Sequence, residues 1–318
     1  MKNTLYHYCT LDTFLSIIKS ETIRASDCSK TNDTEESRWI ASLIIDSFLL
    51  KLKNSPIFYS KYDINDEKLT YINERISSVI DGTFYQNKRN MITFITCFTE
   101  KGDLLSQWRG YANDGKGLSI GFNKSILQTF ETGDYSYHFR KIIYKRKEQM
   151  QYIQDHLDSL IKAYEKVDIA QPIENTLGKF LWDLSLSISV LRNYSAQFKN
   201  EAFKEEREWR LFINTHTSNI CYSTENGNDD VGEIEENYSK DCAYKNGIIR
   251  RAIGFRTSNN YIVPYIDLNF SRIRDDFITE IIIGPKCEAS IFDIELVLAA
   301  QGYNVKNNMI RKSNATYR

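Results

Sequence analysis

Three short strings hold most of the side chains in this sequence that are able to do chemistry. The first is Tyr6-His7-Tyr8-Cys9-Thr10. Strand-like alternation puts His7 and Cys9 on one face and Tyr6, Tyr8 and Thr10 on the other. An imidazole there can meet a ligand hydroxyl, or it can be a core histidine bonded to backbone. The second string, Ser106-Gln107-Trp108-Arg109-Gly110-Tyr111-Ala112, precedes the turn Asn113-Asp114-Gly115-Lys116-Gly117. Its Trp and Tyr can stack on a planar ring while Arg109 pairs with phosphate, unless the string is a surface helix whose aromatics reach the core. The third string is Glu205-Glu206-Arg207-Glu208-Trp209-Arg210, entering a strand. Extended, it puts Glu206 and Glu208 on one face, roughly 6–7 Å apart, and Arg207 with Trp209 on the other. Same-face acids beside a Trp shift each other's ionisation and stabilise a developing cation. The plainer alternative is a solvated, salt-bridged helix end.

Weaker signals surround these. Asn32-Asp33, with Glu36 three residues after the aspartate, reads as a loose capping box. His138, His156 and His216 show no metal-ligand spacing, and the six cysteines (Cys9, Cys28, Cys97, Cys221, Cys242, Cys287) form no CxxC or Cys/His cluster. Neither a metal site nor a disulfide framework is expected, and reduced thiols fit a cytoplasmic location. Arg140, Lys141, Lys145, Arg146 and Lys147, joined by Arg250, Arg251 and Arg256, make a local basic patch suited to phosphate, or simply surface charge.

The elements that must position these groups are legible from periodicity. Thr4–Cys9 reads as a strand, and Thr10 caps a helix with Leu11, Phe14, Leu15 and Ile18 at helical spacing. An extended piece, 22–26, follows. Helices are expected with Trp39, Ile40, Leu43, Ile44 and Phe48 on one stripe, and over 67–80 with Leu69, Ile72, Ile76 and Val79. Strands are expected at 91–98, 117–122, 139–144 and 209–214, with a helical turn at 104–112. Two long helices, one carrying Met150, Ile153, Leu157, Leu160, Ile161 and Tyr164, the other running from Ile173 to Phe198, form a helical insertion at about 147–200. The stretch 225–241 holds seven acids and reads as an exposed acidic loop, at about 224–247 in the chain. Strands at 250–255, 261–268 and 280–284 and a helix at 290–301 close the chain. Strands divided by helical blocks without βαβ alternation predict an α+β fold, read as a single domain over 1–318.

Composition sets bounds on function. Among 318 residues, 41 Lys+Arg face 42 Asp+Glu for a net charge of −1, so no global field draws nucleic acid or an acidic membrane. Any such binding must come from local patches. Glycine (14) and proline (4) fall below the roughly 12% of ordinary chains, which excludes collagen-like and low-complexity classes. The apolar run 40–52 is broken by Ser42, Asp46, Ser47 and Lys51 and is too short to span a bilayer, so no membrane partner is expected. Aromatics reach 13%, and Tyr8, Trp108, Tyr111 and Trp209 stand out as a possible ligand platform against a background of core residues.

In order along the chain, several strings resemble a bacterial family catalogued as domain of unknown function 2971. They are Leu5-Tyr6-His7-Tyr8 with Thr10, Asn32-Asp33 with Glu36, and Cys97-Phe98 leading to Ser106-Gln107-Trp108-Arg109-Gly110-Tyr111. Phe203 with Glu206, Glu208, Trp209 and Arg210, then Ile283-Gly284-Pro285, complete the set. That family names no activity. More loosely, the Tyr-His-Tyr-x-Thr strand followed by Leu-x-x-Phe-Leu-x-Ile-Ile is similar to the start of ADP-ribosyltransferase domains, including DNA- and RNA-modifying toxins and tRNA 2′-phosphotransferases. This likeness implies a split mixed or antiparallel sheet and NAD as substrate, with no metal.

By that resemblance His7 contacts a ribose of NAD. Glu208 is the acid at the nicotinamide ribose, and Glu206 is the first acid of the pair. Arg109 meets the pyrophosphate and Tyr111 or Trp108 the nicotinamide ring, and Tyr8, Thr10, Asn32, Ser106 and Gln107 complete the NAD-binding set. The function it implies is transfer of ADP-ribose, in a bacterial toxin or phage-defence effector, to a nucleic-acid acceptor (RNA or DNA), with a neutralising antitoxin as a further partner. The alternatives are a metal-dependent nuclease using Glu206, Glu208 and Asp33, and a non-catalytic nucleotide-binding sensor. The two long helices have no counterpart in a minimal transferase core.

Overall fold

The computed structural model describes residues 3–30, 36–86, 91–129, 137–167, 173–216, 249–250, 253–258 and 260–317. In chain order its elements begin with β1 (Thr4–Cys9), α1 (Leu11–Ser20), β2 (Thr22–Asp27), α2 (Glu36–Lys53), α3 (Pro56–Lys61) and α4 (Asp66–Ile80). Then come β3 (Met91–Thr99), α5 (Leu105–Tyr111), β4 (Leu118–Asn123), α6 (Lys124–Gln128), β5 (Tyr137–Lys141), α7 (Arg146–Lys166) and α8 (Ile173–Asn193). The last are β6 (Glu208–His216), β7 (Ile249–Arg250), β8 (Gly254–Ser258), β9 (Tyr261–Asn269), α9 (Arg274–Phe277), β10 (Ile278–Ile283), α10 (Ile291–Ala300) and β11 (Ile310–Lys312). The chain is a mixed α and β protein. It divides into two compact units interleaved in sequence, one built from 1–31, 93–142 and 204–318, the other from 32–92 and 143–203.

The first unit is built on a mixed, largely antiparallel sheet of order β11-β10-β4-β1-β3-β2-β9-β7. β5 joins through β6, which pairs β3, and β8 adds to β9. β10 and β11 are parallel, whereas β1 lies antiparallel to β4 over its whole length, from Thr4 opposite Asn123 to Cys9 opposite Leu118. Local chemistry starts the helices, at Thr10 as expected. The Thr10 side chain accepts from the Thr13 N–H (3.2 Å), and Ser290 with Asp293 forms a reciprocal capping box on α10. Two glycines are demanded by close approach: a Cβ on Gly117 would strike the Cys9 carbonyl, and one on Gly284 the Gly115 carbonyl.

β3 is bordered by three strands, although a strand has only two edges. Its Thr99 pairs with Tyr6 of β1, and its Phe94 and Ile95 pair with Asp27 and Ser26 of β2. β6 follows it from end to end: the Glu100 N–H donates to the Arg207 carbonyl (3.3 Å) and the Thr93 hydroxyl to Asn214 Oδ1 (2.8 Å). β1 and β2 therefore share the other edge and part company between Ile95 and Thr99.

The second unit is helical. α2, α3, α4, α7 and α8 surround a core that includes Phe48, Phe58, Tyr62, Ile72, Ile76, Leu157 and Phe180. The fully buried Gln149 holds three segments of this unit together. Its Nε2 donates to the carbonyls of Ile143 (2.6 Å) and Lys199 (2.8 Å), and its Oε1 accepts from Trp39 Nε1 (3.2 Å). α7 and α8 correspond to the expected helical insertion and share this unit with residues 36–86. Phe198 lies beyond the end of α8, after a short 3-10 turn, and still reaches the core. The expected strand over 250–255 is instead split between β7 and β8. The acidic loop at 225–241, Asn32, Asp33 and Arg251 lie outside the described residues.

Candidate functional site

Two faces of the first unit's sheet separate the sequence candidates. Ring contacts run from His7 to Phe98 (6.1 Å), from Phe98 to Phe139 (6.3 Å) and from Phe139 to Trp209 (5.2 Å, stacked), so these four lie on one face. Tyr6 and Tyr8 alternate with His7, and Glu208 and Arg210 alternate with Trp209, so these four point to the other face. There Tyr6 and Tyr8 pack with Trp108 and Ala112 of the α5 segment. His7 and Glu208, both assigned to NAD by the resemblance, thus face opposite sides of the sheet.

His7 is half-buried, and its Nδ1 lies 2.9 Å from the Cys97 carbonyl, at the place where β1 and β2 diverge along β3. A carbonyl only accepts, so Nδ1 carries the proton and Nε2 is the acceptor of the neutral ring. Burial pushes its pKa below the usual histidine value, against the opposing pull of the Cys97 carbonyl. The backbone-bonded core histidine is the reading that this geometry matches.

α5 is anchored from below. The Tyr8 hydroxyl donates to the Lys101 carbonyl (2.9 Å) and accepts from the Leu104 N–H (2.8 Å), so Tyr8 places the start of the helix and has no open face for a cofactor. Burial pushes the Tyr8 phenol above its ordinary range. Trp108 is 0% exposed, its ring set edge-on to Tyr8 at 4.7 Å and its Nε1 donating to Asp103 (2.8 Å). It is a core residue, and the expectation that it stacks on nicotinamide is corrected. Gln107 is buried beside it. Thr10 is spent as the cap of α1. Ser106, Arg109 and Tyr111 remain on the exposed side of α5.

The acids are arranged differently from an extended pair. Glu206 ends a 3-10 turn (Glu201–Glu206), and Arg207 sits in the left-handed region at φ 45° before β6 begins at Glu208. That kink separates Glu206 and Glu208, so they do not share a strand face. Glu206 is half-buried: its Oε1 accepts from the Tyr111 hydroxyl (3.0 Å), and its carbonyl accepts from the Thr99 hydroxyl (2.6 Å). Glu208 is 4% exposed, and Arg210 holds both its oxygens, Nε to Oε1 at 2.7 Å and a terminal nitrogen to Oε2 at 3.2 Å. Arg140, opposite Arg210 in β5, adds a second guanidinium on that face.

Residues 107–211 match the family model described as Protein of unknown function (DUF2971). The match covers about a third of the chain, from α5 into β6, and bears out the family resemblance over that segment. It contains Tyr111, Glu206, Glu208 and Arg210 together. No curated protein and no solved structure matches the chain.

Three residues of the basic patch are paired locally. Lys141 bonds Glu100 (2.7 Å), Lys145 bonds Glu148 (2.8 Å) and Arg146 bonds Asp46 (2.9 Å). Among the described residues no group of three His, Cys, Asp or Glu is placed to hold a metal ion, and no helix is long and apolar enough to cross a membrane. Asp103 escaped the sequence reading, although it holds the Trp108 indole and two later groups, Ser313 Oγ and the Asn314 N–H. Nothing local in the sequence links residue 103 to residues more than 200 positions away.

Proposed function

We propose that the protein is an NAD-dependent ADP-ribosyltransferase with an ADP-ribosyltransferase-like sheet, acting on a nucleic-acid acceptor as a bacterial toxin or phage-defence effector. The observation that carries this reading is the Tyr111–Glu206 hydrogen bond. It sets an exposed aromatic ring, on the same helix as Arg109, against a carboxylate two residues before the buried acid that opens β6. The divergence of β1 and β2 along β3 supports the split-sheet part of the proposal.

In the reaction, the bond from ribose C1′ to the nicotinamide nitrogen breaks and its electron pair leaves with neutral nicotinamide. The positive charge left at C1′ and the ring oxygen is stabilised by a nearby carboxylate. An acceptor nucleophile then bonds to C1′ and gives its proton to a carboxylate. Of the two acids, Glu206 is the less buried. Glu208 takes the ribose role when Arg210 releases it, which makes Arg210 a positioning residue. Tyr111 supplies the ring platform and Arg109 the pyrophosphate contact.

The Glu208–Arg210 clamp favours a second reading, a nucleotide-binding sensor that binds NAD or a nucleotide without turnover. One experiment separates the two. Purified protein is incubated with labelled NAD and pools of protein, DNA and RNA, and nicotinamide release is followed. The transferase reading expects label in one nucleic-acid pool and at least about a hundredfold loss in Glu208→Gln or Glu206→Gln. Full activity in both variants, or neither label nor nicotinamide release from the unaltered protein, overturns it.

A further inference from the structure

The segment after β11 runs past α5 and puts an aromatic ring within reach of two cations. The Ser313 N–H donates to the Ile283 carbonyl (2.8 Å), and the Asn314 N–H donates to Asp103 Oδ2 (2.7 Å), which fixes the path of the segment. Tyr317 then lies with its ring centroid 3.8 Å from Lys286 Nζ and 5.3 Å from Arg109 Cζ. Its hydroxyl donates to Asp114 Oδ1 (2.6 Å), and Lys286 donates to Asp114 Oδ2 (2.8 Å). Asn113, Asp114 and Gly115 all have positive φ (48°, 56° and 87°), so the backbone presenting Asp114 is held in an unusual conformation.

The charges around this ring do not balance. Two cations meet one carboxylate. Arg109, with five N–H donors, makes no hydrogen bond to any described residue. A guanidinium and an ammonium converging on a flat ring, with a carboxylate at its edge, match a ligand that carries a flat ring, an N–H or O–H at the ring's rim, and phosphate. Tyr317 supplies the first two features and not the third.

We propose that Arg109, Lys286 and Asp114 form a nucleotide subsite, and that Tyr317 fills its ring position in the unliganded chain and competes with the ligand. The base or nicotinamide ring would replace the phenol beside the cations, its N–H or O–H would replace the Tyr317 hydroxyl on Asp114, and phosphate would take the Arg109 donors. This rests on reading α5 as a ligand platform and not on the transfer chemistry.

The test is calorimetric titration of the whole chain with ADP at low salt. Emptying the ring position removes the fraction of molecules in which Tyr317 blocks the site, so Tyr317→Ala binds ADP about tenfold more tightly than the unaltered protein. Tyr317→Phe, which keeps the ring and loses the bond to Asp114, falls between them and guards against a tail that merely unfolds. Adding Arg109→Ala or Lys286→Ala to Tyr317→Ala abolishes the gain. Equal or weaker binding by Tyr317→Ala, a gain that survives loss of both cations, or no binding by any variant at millimolar ADP overturns the proposal. Nicotinamide release is read separately. Tighter ADP binding without NAD cleavage supports the subsite and overturns the transferase, whereas NAD cleavage with unchanged ADP binding does the reverse.

Discussion

Replacing Asp103 by Asn tests the tie between α5 and the last strand segment. Its carboxylate accepts from Trp108 Nε1 (2.8 Å), Ser313 Oγ (2.5 Å) and the Asn314 N–H (2.7 Å), with Arg311 3.6 Å away. Bonds to a charged acceptor each contribute about 1.5–3 kcal/mol. An Asn side chain keeps one acceptor oxygen but turns an NH2 group towards donors. One or two of the charged bonds are lost, about 2–4 kcal/mol in all. For a body of this size that lowers the melting temperature by about 5–15 °C. Burial works to raise the Asp103 pKa, but the bonds from Ser313, Asn314 and Trp108 and the charge of Arg311 outweigh it and hold the carboxyl below the ordinary range. A depressed acid contributes stability that is complete above its unfolded value, about pH 3.9, and is lost as pH falls through the folded value. Thermal unfolding of Asp103→Asn and unaltered protein, followed by circular dichroism, therefore shows a constant gap from pH 7 to about pH 5 that narrows only below about pH 4. No gap at pH 7, or a gap that widens on acidification, refutes the reasoning.

Two further outcomes follow from groups already placed. Arg210→Met removes the guanidinium that holds both oxygens of the buried Glu208 carboxylate and lowers stability to urea by about 3–5 kcal/mol, while adding Glu208→Leu recovers most of that loss; a single variant as stable as the parent shows that the clamp is not buried in solution. His7, desolvated in the fold, titrates below 6.5 in a proton NMR series. Because the unfolded chain takes up that proton first, the His7 contribution to stability declines as pH drops from 6.5, and a midpoint at or above 6.5 contradicts its burial.

Local order was legible where the deciding interactions are local. The alternation in Thr4–Cys9, the Thr10 cap, the helical turn carrying Gln107–Tyr111 and the apolar stripe of α4 all follow from neighbours within a turn or two. The relation between His7 and Glu208 did not. Each strand shows its own alternation, but which face of β1 matches which face of β6 is set through β3, where a shift of one residue exchanges the two sides. The kink at Arg207 was hidden for a different reason: nothing in Glu-Glu-Arg-Glu signals a left-handed residue, since it is imposed by the hydrogen bonds that Thr99 and Glu100 make to Glu206 and Arg207. Trp108 illustrates the same limit, because a tryptophan in a short amphipathic helix becomes platform or core only when the sheet beneath it is built.

The interleaving of the two units bears on when the protein can finish folding during its synthesis. β1 and β11 belong to one sheet, and residues 4 and 312 must both be present before it is whole. On the ribosome, the strand bearing Glu208 emerges well before β10 and β11, so the sheet is not finished until nearly all of the described chain has been made. Such long-range closure slows folding. A chain cut short before β11 also lacks the strand that finishes this sheet.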